Sequence, residues 1–263
     1  MCDYLNHNKM SFMTKILIVE DESITAMDVK NRLNRFGFDV VGIASRGAEA
    51  VKKAGDLKPD LILMDITLKG DMDGIEAAEE IKTLFDIPVV YMSAFADKNT
   101  FERVKLSNPY GFVNKPISSE LLLISIESAI YKHEIDKKLA KSEEKYRQII
   151  ETTHEGVSIA TPEKGFIFVN QRMCEMLGYN EEEILGHKIF KFIDQDQIPV
   201  FYKANKKILN NEKFEEIIKF RKKDGSILWT LAKGSALLDD QGNYFATLGM
   251  HSDITKHKKN REK

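Results

Sequence analysis

The sequence predicts an α/β protein with a five-stranded doubly wound parallel sheet, followed by a long linker helix and an α+β domain with an antiparallel sheet. Three observations predict this fold. The N-terminal half alternates short apolar runs with helix-length segments, the middle has a stretch without proline or glycine, and the C-terminal half has amphipathic runs joined by polar turns. With 263 residues, 43% of them hydrophobic, the chain is long enough for about two domains.

Short apolar runs of the fully buried type are the strand candidates of the first domain. The segments between them have helical spacing. In the first helix, Ala26, Val29 and Leu33 recur at spacings of three and four, and Phe36 continues the pattern before Gly37 stops it. This alternation predicts parallel strands joined by crossover helices. The strand candidates are KILIVE, DVVGIA, LILMDI, PVVYMSA and GFVNK.

A linker helix is predicted over residues 118–152, because no proline or glycine occurs between Ile117 and Glu155. At 1.5 Å per residue it would be about 50 Å long. A set of its apolar or small residues, here called the seam, follows a heptad pattern with one stutter, which predicts parallel dimerisation. Alternatively, the segment from Leu121 to Ile130 packs on the first sheet. The seam comprises Leu121, Ile124, Ser128, Tyr131, Ile135, Leu139, Ser142, Tyr146 and Ile149.

The second half contains strand, helix and strand patterns after Gly156, and its last three strand candidates are joined by turns. The turns lie at 223–226 and 239–243, and both contain aspartate and glycine. This order predicts an antiparallel sheet with helices on one face. Trp229 and the nearby phenylalanines are expected in the core rather than around a pocket, and Cys174 is expected to be a core thiol.

Composition and charge exclude several classes of protein. The formal net charge is -2 and the pI is about 6.3, which predicts neither nucleic-acid nor membrane partners. Two distant cysteines, Cys2 and Cys174, exclude a disulfide scaffold and a zinc module. The chain has no membrane-length apolar run and no secretory signal, so a cytoplasmic protein is expected. Residues 1–13 are predicted to be a disordered extension, and residues 259–263 a basic tail.

Polar residues follow four of the predicted strands. Glu20 and Asp21 end strand one, Asp65 ends strand three, Ser93 ends strand four and Lys115 ends strand five. Parallel strands place their carboxyl ends at one edge, so these residues are expected to converge. Alternatively, the carboxylates only cap helices and loops.

Three carboxylates in one place repel each other, and a pair about 4 Å apart at an effective dielectric constant of 20 costs roughly 4 kcal/mol. A divalent cation would remove this repulsion, and ligand sets made only of oxygen favour Mg²⁺ over zinc. One carboxylate could then attack phosphorus, while Lys115 offsets charge on the phosphoryl oxygens and Ser93 donates a hydrogen bond.

The strings KILIVEDE, LILMDITLKGDMDGIEAA, VVYMSAFAD and YGFVNKPIS resemble the bacterial and archaeal response-regulator receiver domain over residues 14–135. The resemblance implies that Asp65 accepts the phosphoryl group. It implies that Glu20 and Asp21 form the Mg²⁺ pocket, with the backbone carbonyl of Thr67 completing the coordination. Glu20 stands where many members have aspartate, and its longer side chain is expected to act through water.

The same resemblance assigns three switch positions. Ser93 is the switch hydroxyl and Lys115 is the phosphate-sensing lysine. Phe112 occupies the aromatic switch position, where a phenylalanine can pack inward but has no hydroxyl to hold an active rotamer.

Residues 139–258 resemble a PAS domain, a sensor and dimerisation fold, through FVNQRMCEMLGYNEEEILG, RKKDGSILW and a closing Asp-Ile-Thr triplet. In that fold the triplet passes signals onward, which makes Asp253 and Thr255 candidates for signal relay. Alternatively, Asp253 only caps a strand end.

The sequence does not identify a ligand for this domain. Haem is not expected, because residues 196–209 contain no histidine, and covalent flavin is not expected, because Gln171 follows Asn170. His133 superficially resembles a phospho-histidine box, but it is expected to be an exposed linker residue.

These observations favour a response regulator without an enzymatic or DNA-binding output. A partner sensor histidine kinase would phosphorylate Asp65, and the linker helix would relay the change to the PAS domain. A homodimer through the linker helix and PAS domain is expected, and the downstream protein partner is not identified. One alternative is a Mg²⁺-dependent phosphohydrolase with Asp65 as nucleophile, although Thr67 stands where such enzymes need a second acid. Another is a fragment of a hybrid sensor histidine kinase.

Overall fold

The computed structural model describes residues 13–94, 98–210 and 212–261, and the side chains of 98–101 and 259–261 are outside this description. The chain divides into two compact units, one ending at Ala140 and the other beginning at Lys141. Apart from Met13, the predicted N-terminal extension lies outside the described residues. None of the helices in the described ranges is long and apolar enough to cross a membrane.

The first unit contains the predicted five-stranded parallel sheet, with strand order β2-β1-β3-β4-β5. Helices cover both faces, so the doubly wound fold is confirmed. The strands are β1 (Lys15–Val19), β2 (Asp39–Ala44), β3 (Leu61–Asp65), β4 (Val89–Ser93) and β5 (Gly111–Asn114). The helices are α1 (Ser23–Arg35), α2 (Gly47–Leu57), α3 (Gly74–Phe85), α4 (Lys98–Leu106) and α5 (Ser119–Thr152).

The core of this unit lies on both faces of the sheet, which explains the continuous apolar runs of the central strands. In β1, Leu17 and Val19 pack with α2 and α3, whereas Ile16 and Ile18 pack with α1 and α5. Apart from Lys15 at the start of β1, the central strands β1, β3 and β4 are buried along their length, so ligands can reach them only at their ends. Polar side chains at the carboxyl ends are therefore the ones available for chemistry.

Helix α5 uses different faces for packing and for the seam. Its buried residues are Leu122, Ile126, Ala129 and His133, and the first three join the core under the sheet. The segment from Leu121 to Ile130 thus packs on the sheet, as the alternative predicted, but not through seam residues. The apolar and aromatic members of the seam are between 44% and 68% exposed.

The expectation that His133 is an exposed linker residue was wrong. Its exposed fraction is 8%, because it continues the spacing of four, three and four that puts Leu122, Ile126 and Ala129 on the buried face. Its ring packs edge-on against Tyr110 at 5.2 Å between centroids. His133 is therefore part of the packing of the first unit.

The second unit is the predicted α+β domain, with an antiparallel sheet of order β7-β6-β10-β9-β8. The strands are β6 (Gly156–Thr161), β7 (Gly165–Val169), β8 (Phe214–Arg221), β9 (Ile227–Leu238) and β10 (Tyr244–Asp253). The helices are α6 (Gln171–Leu177), α7 (Glu181–Ile184), α8 (Ile198–Leu209) and α9 (Thr255–Arg261), with short 3₁₀ helices at Ile189–Lys191 and Gln195–Gln197. Helix α9 includes the first residues of the predicted basic tail.

The core of the second unit lies between one face of the sheet and helices α6 and α8, and it contains Cys174 as expected. Trp229 is not in this core, so its prediction was wrong. The buried neighbours Leu228 and Thr230 occupy the alternate positions of β9, which places Trp229 on the opposite face. There the ring is half-buried between the ammonium groups of Lys219 and Lys258, at 4.9 and 5.1 Å from its centroid.

Candidate functional site

The predicted acidic residues meet at the carboxyl edge of the parallel sheet. Asp65 is the last residue of β3, and Glu20 directly follows β1, the neighbouring strand. Strand order reverses here, since β2 lies on one side of β1 and β3 on the other. A crevice at such a reversal is the usual ligand site of open α/β sheets.

Carboxylate oxygens of Glu20, Asp21 and Asp65 lie within 4.8 Å of one another. Glu20 and Asp65 are 2% and 6% exposed, so water screens their charges weakly. Burial raises the pKa of Glu20 above its usual value, although the hydrogen bond from Lys115 acts against this shift. The folded state therefore favours protonation of Glu20. The cost of burying its negative charge applies at neutral pH and falls as the pH drops.

Lys115 connects two of these carboxylates. Its Nζ donates hydrogen bonds to Glu20 Oε2 at 2.6 Å and to Asp65 Oδ2 at 2.7 Å. Its backbone N–H donates to the carbonyl of Ser93, the last residue of β4, at 2.7 Å. Burial lowers the pKa of Lys115, but its hydrogen bonds to Asp65 and Glu20 outweigh burial, and the pKa is raised overall. The resulting stabilisation is present at neutral pH and is lost as the pH rises through the alkaline range.

The loop after β3 holds the other oxygen of Asp65. The backbone N–H of Thr67 donates to Asp65 Oδ1 at 3.1 Å, so it holds the oxygen that Lys115 does not contact. Coordination of a metal by the Thr67 carbonyl remains a prediction. Sequence reasoning missed Lys69 in the same loop, whose Nζ lies 2.8 Å from Asp21 Oδ2.

The two remaining switch positions lie on neighbouring strands. Ser93 ends β4 at the same edge as Asp65 and is 5% exposed. Phe112 lies in the middle of β5 and its side chain is exposed. Their switch roles remain predictions, and the fold places Ser93, but not Phe112, at the end of its strand.

The donor set of this edge suits a hard cation. Its candidate ligands are oxygens of Glu20, Asp21 and Asp65, without the nitrogen or sulfur that zinc prefers. Lys115 and Lys69 pair with these carboxylates but leave a net negative charge. When bound, Mg²⁺ would supply further positive charge beside the phosphoryl oxygens.

In the second unit, the closing triplet fastens helix α9 to β9. The side chain of Thr255 accepts a hydrogen bond from the backbone N–H of Trp229 at 3.0 Å, and Asp253 Oδ1 accepts from the N–H of Thr255 at 2.8 Å. Ile254 donates its N–H to the carbonyl of Trp229 at 2.9 Å. Asp253 thus caps the start of α9, and Thr255 makes the side-chain contact to the sheet. Signal relay by either residue remains a prediction.

Asn170 is a connecting residue that sequence reasoning missed. It is fully buried, and its side-chain amide donates to the carbonyls of Ile150 and Glu155 at 2.9 and 3.1 Å. Its Oδ1 accepts from the N–H groups of Val157 and Met173 at 2.8 and 2.9 Å. This one amide joins the end of α5, the start of β6 and the start of α6.

Comparison with known proteins assigns both units. The family model of the response regulator receiver domain matches residues 16–127, and a PAS domain model matches residues 154–256. The chain is 34% identical over 117 residues to chemotaxis protein CheY of Bacillus subtilis, a match that covers 44% of this chain and 97% of CheY. The chain belongs to the response-regulator family.

This response regulator also resembles the transcriptional regulatory protein PdtaR of Mycobacterium tuberculosis, with 37% identity over 116 residues. That match covers 44% of this chain and 56% of PdtaR, so the chain spans about half the length of this relative. The signal receiver domain of a modulated diguanylate cyclase from Desulfovibrio desulfuricans is 38% identical, with a TM-score of 0.46, covering 48% of this chain and 99% of that domain. A receiver domain followed by a PAS domain fits two-component phosphorelay signalling.

Proposed function

We propose that this response regulator accepts a phosphoryl group on Asp65 from a sensor histidine kinase and relays the change through α5 to the PAS domain. The observation that carries the proposal is the contact of Lys115 Nζ with Asp65 Oδ2 and Glu20 Oε2 at one strand edge. A carboxylate held by a fixed cation beside two further carboxylates suits Mg²⁺-assisted phosphoryl transfer.

In this reaction an oxygen of Asp65 attacks the phosphorus of a phosphohistidine. The phosphorus–nitrogen bond breaks, the imidazole leaves with the electron pair, and an acyl phosphate forms. Thr67 and Lys115 hold the carboxylate oxygens in place before attack, which lowers the entropic part of the barrier. Lys115 then moves its charge toward the phosphoryl oxygens, and Ser93 donates a hydrogen bond to one of them.

Asp65→Asn is expected to abolish phosphorylation, because the amide is not a nucleophile for phosphorus at neutral pH. The measurement is the intact mass of the full chain after incubation with Mg²⁺ and acetyl phosphate, which supplies the phosphoryl group without a kinase. Wild type should gain one hydroxylamine-sensitive phosphoryl group, and the variant none.

Asp71→Asn is the matched control, because it makes the same change at an exposed aspartate in the loop after β3. This variant should be labelled like wild type. Equal labelling of Asp65→Asn would refute Asp65 as the acceptor. Steady turnover of acetyl phosphate without accumulation of phosphoprotein would instead favour a phosphohydrolase.

We further propose that the seam pairs two copies of the chain in parallel. Its apolar residues are exposed although they recur at heptad spacing, and the buried face of α5 uses other residues. Seven apolar or aromatic residues on one helical stripe form the kind of surface that a second identical helix covers.

Leu139→Glu is expected to weaken the dimer by more than about tenfold, because the dimer would place two carboxylates in an apolar interface. Light scattering over a concentration series, with and without beryllofluoride, gives the dimer dissociation constant. Ala140→Glu adds the same charge one position away from the seam, on an exposed residue, and should leave the constant nearly unchanged. Equal effects of both variants, or a monomeric wild type in both states, would contradict pairing through the seam.

A further inference from the structure

The PAS domain contains a cavity of about 260 Å³ between the inner face of its sheet and helix α8. Its deep part is lined by buried residues such as Phe166, Ala204 and Ile218, and its mouth by the exposed side chains of Phe190 and Tyr202. The volume is slightly below the range of about 300–1,000 Å³ that is usual for sites of drug-sized ligands. The cavity therefore fits a small molecule that enters from the mouth.

A polar pair lies among the buried residues of the cavity. His251 is 4% exposed, and its Nε2 lies 3.2 Å from the hydroxyl oxygen of Ser158. Its Nδ1 is buried and has no hydrogen-bond partner among the described residues. Burial lowers the pKa of His251 to about 4, so the ring is uncharged at neutral pH. A buried polar atom without a partner lowers the stability of the fold, and a ligand group that hydrogen-bonds to Nδ1 would reduce this free-energy cost.

Gly249 gives this polar pair its space. A Cβ atom at this position would lie 2.9 Å from His251 Nε2 and 2.9 Å from Ser158 Oγ. Any larger residue would press on both polar groups, so the glycine keeps a gap in the sheet beside them. Both groups line the cavity, so a ligand inside it can approach them.

The charge of the lining is positive. Among the described residues, the lining contains one lysine, Lys188, and no aspartate or glutamate. The lysine side chain is exposed, next to the aromatic mouth. The rings of Phe190 and Tyr202 lie 5.8 Å apart, and Phe190 packs edge-on against Phe201 at 5.2 Å. An aromatic ring in this mouth would contact the rings of Phe190 and Tyr202, with the ammonium group of Lys188 beside them.

We propose that this cavity binds a small aromatic carboxylate that carries an uncharged polar group. The ring lies between the apolar walls, the carboxylate pairs with Lys188 at the mouth, and the uncharged group hydrogen-bonds to Ser158 and His251. A neutral imidazole and a hydroxyl suit a phenol or a carbonyl in the deep part rather than a second charge. This inference goes beyond the proposed phosphorelay, because binding here can be present or absent whether or not Asp65 is phosphorylated.

The test is calorimetric titration of the full chain with para-hydroxyphenylacetate. Phenylacetate lacks the deep hydroxyl, and para-hydroxyphenylacetamide lacks the charge at the mouth. The complete probe should bind most tightly, and each analogue should bind roughly three- to tenfold more weakly. If none of the probes binds to folded protein at millimolar concentration, the proposal is wrong.

Two variants localise the binding. Lys188→Gln should lower the affinity for the two carboxylate probes roughly three- to tenfold and leave the affinity for the amide unchanged. The control Lys164→Gln changes an exposed lysine that does not line the cavity, and it should change none of the three affinities. Ser158→Ala should reduce affinity for the phenol but not for phenylacetate, with Trp229 fluorescence confirming that the domain is folded. Binding that is equal in Lys188→Gln and wild type, and equal in Ser158→Ala and wild type, would place the probe elsewhere and overturn the proposal.

Discussion

Gly74→Ala is expected to destabilise the receiver domain by about 3 kcal/mol or more and to slow phosphorylation of Asp65. Gly74 is the first residue of α3, and its N–H donates to the carbonyl of Ile66 at 3.0 Å. A Cβ atom there would lie 1.9 Å from the backbone carbonyl oxygen of Asp65, far inside contact distance. Because the neighbouring atom is backbone, no side-chain rotation can relieve the clash. Helix α3 or the end of β3 must move, and Asp65 moves with β3.

Hydrogen exchange of β3 and α3, measured by mass spectrometry, reports the loss of stability, and labelling by acetyl phosphate reports the site. The chain has one tryptophan, Trp229, which lies in the second unit, so tryptophan fluorescence reports the unfolding of the PAS domain. The PAS unfolding transition of Gly74→Ala should differ little from that of wild type. Gly55→Ala is the matched control in helix α2. Its Cβ would meet only the end of the Phe85 ring, at 3.0 Å, which can turn aside, and alanine favours helix. Comparable protection loss in both variants would contradict the role assigned to Gly74.

Asn170→Ala is expected to lower the free energy of unfolding of the PAS domain by about 3–5 kcal/mol. The substitution removes four side-chain hydrogen bonds at once. The carbonyls of Ile150 and Glu155 and the N–H of Val157 lose this partner at buried or part-buried places, whereas the N–H of Met173 keeps its bond to the backbone carbonyl of residue 170. The measurement is urea unfolding followed by Trp229 fluorescence. Asn210→Ala, at an exposed position after α8, should change the same transition by no more than about 0.5 kcal/mol.

Asn170→Asp separates the donor role from the acceptor role. The carboxylate keeps the two acceptor contacts but faces the carbonyls of Ile150 and Glu155 without a hydrogen to donate. Burial beside carbonyl dipoles should raise the pKa of this new carboxyl above its usual value. The folded protein then binds the carboxyl proton more tightly than the unfolded protein does. The loss of unfolding free energy of Asn170→Asp relative to wild type should therefore grow as the pH rises from about 5 to 7. A deficit that is independent of pH, or as small as that of Asn210→Ala, would contradict this account.

The parallel sheet and its acidic edge could be predicted because both depend on local patterns. Central strands of an enclosed sheet must be apolar at every position, and the end of each strand is visible as the first polar residue after the run. Glu20, Asp65 and Lys115 were therefore found without knowledge of any contact. Lys69 was missed because its pairing with Asp21 depends on the path of the loop after β3.

Features that depend on register or on distant partners could not be predicted. Ser158 and His251 are 93 residues apart and meet only because of the pairing of β6 with β10. Asn170 contacts a helix end 20 residues earlier in the chain. His133 was misplaced because charged neighbours, Glu134 and Lys137, concealed its position on the buried face of α5.

Helix α5 packs on its own sheet through Leu122, Ile126 and Ala129, and its His133 packs on Tyr110. The seam residues lie elsewhere on its circumference. In the pairing proposed for the seam, substitutions that change which partner helix is recognised need not disturb the folding of the domain that carries it. Partner choice and domain stability would then change independently during divergence, and duplicated regulators would become insulated from one another through a few seam positions.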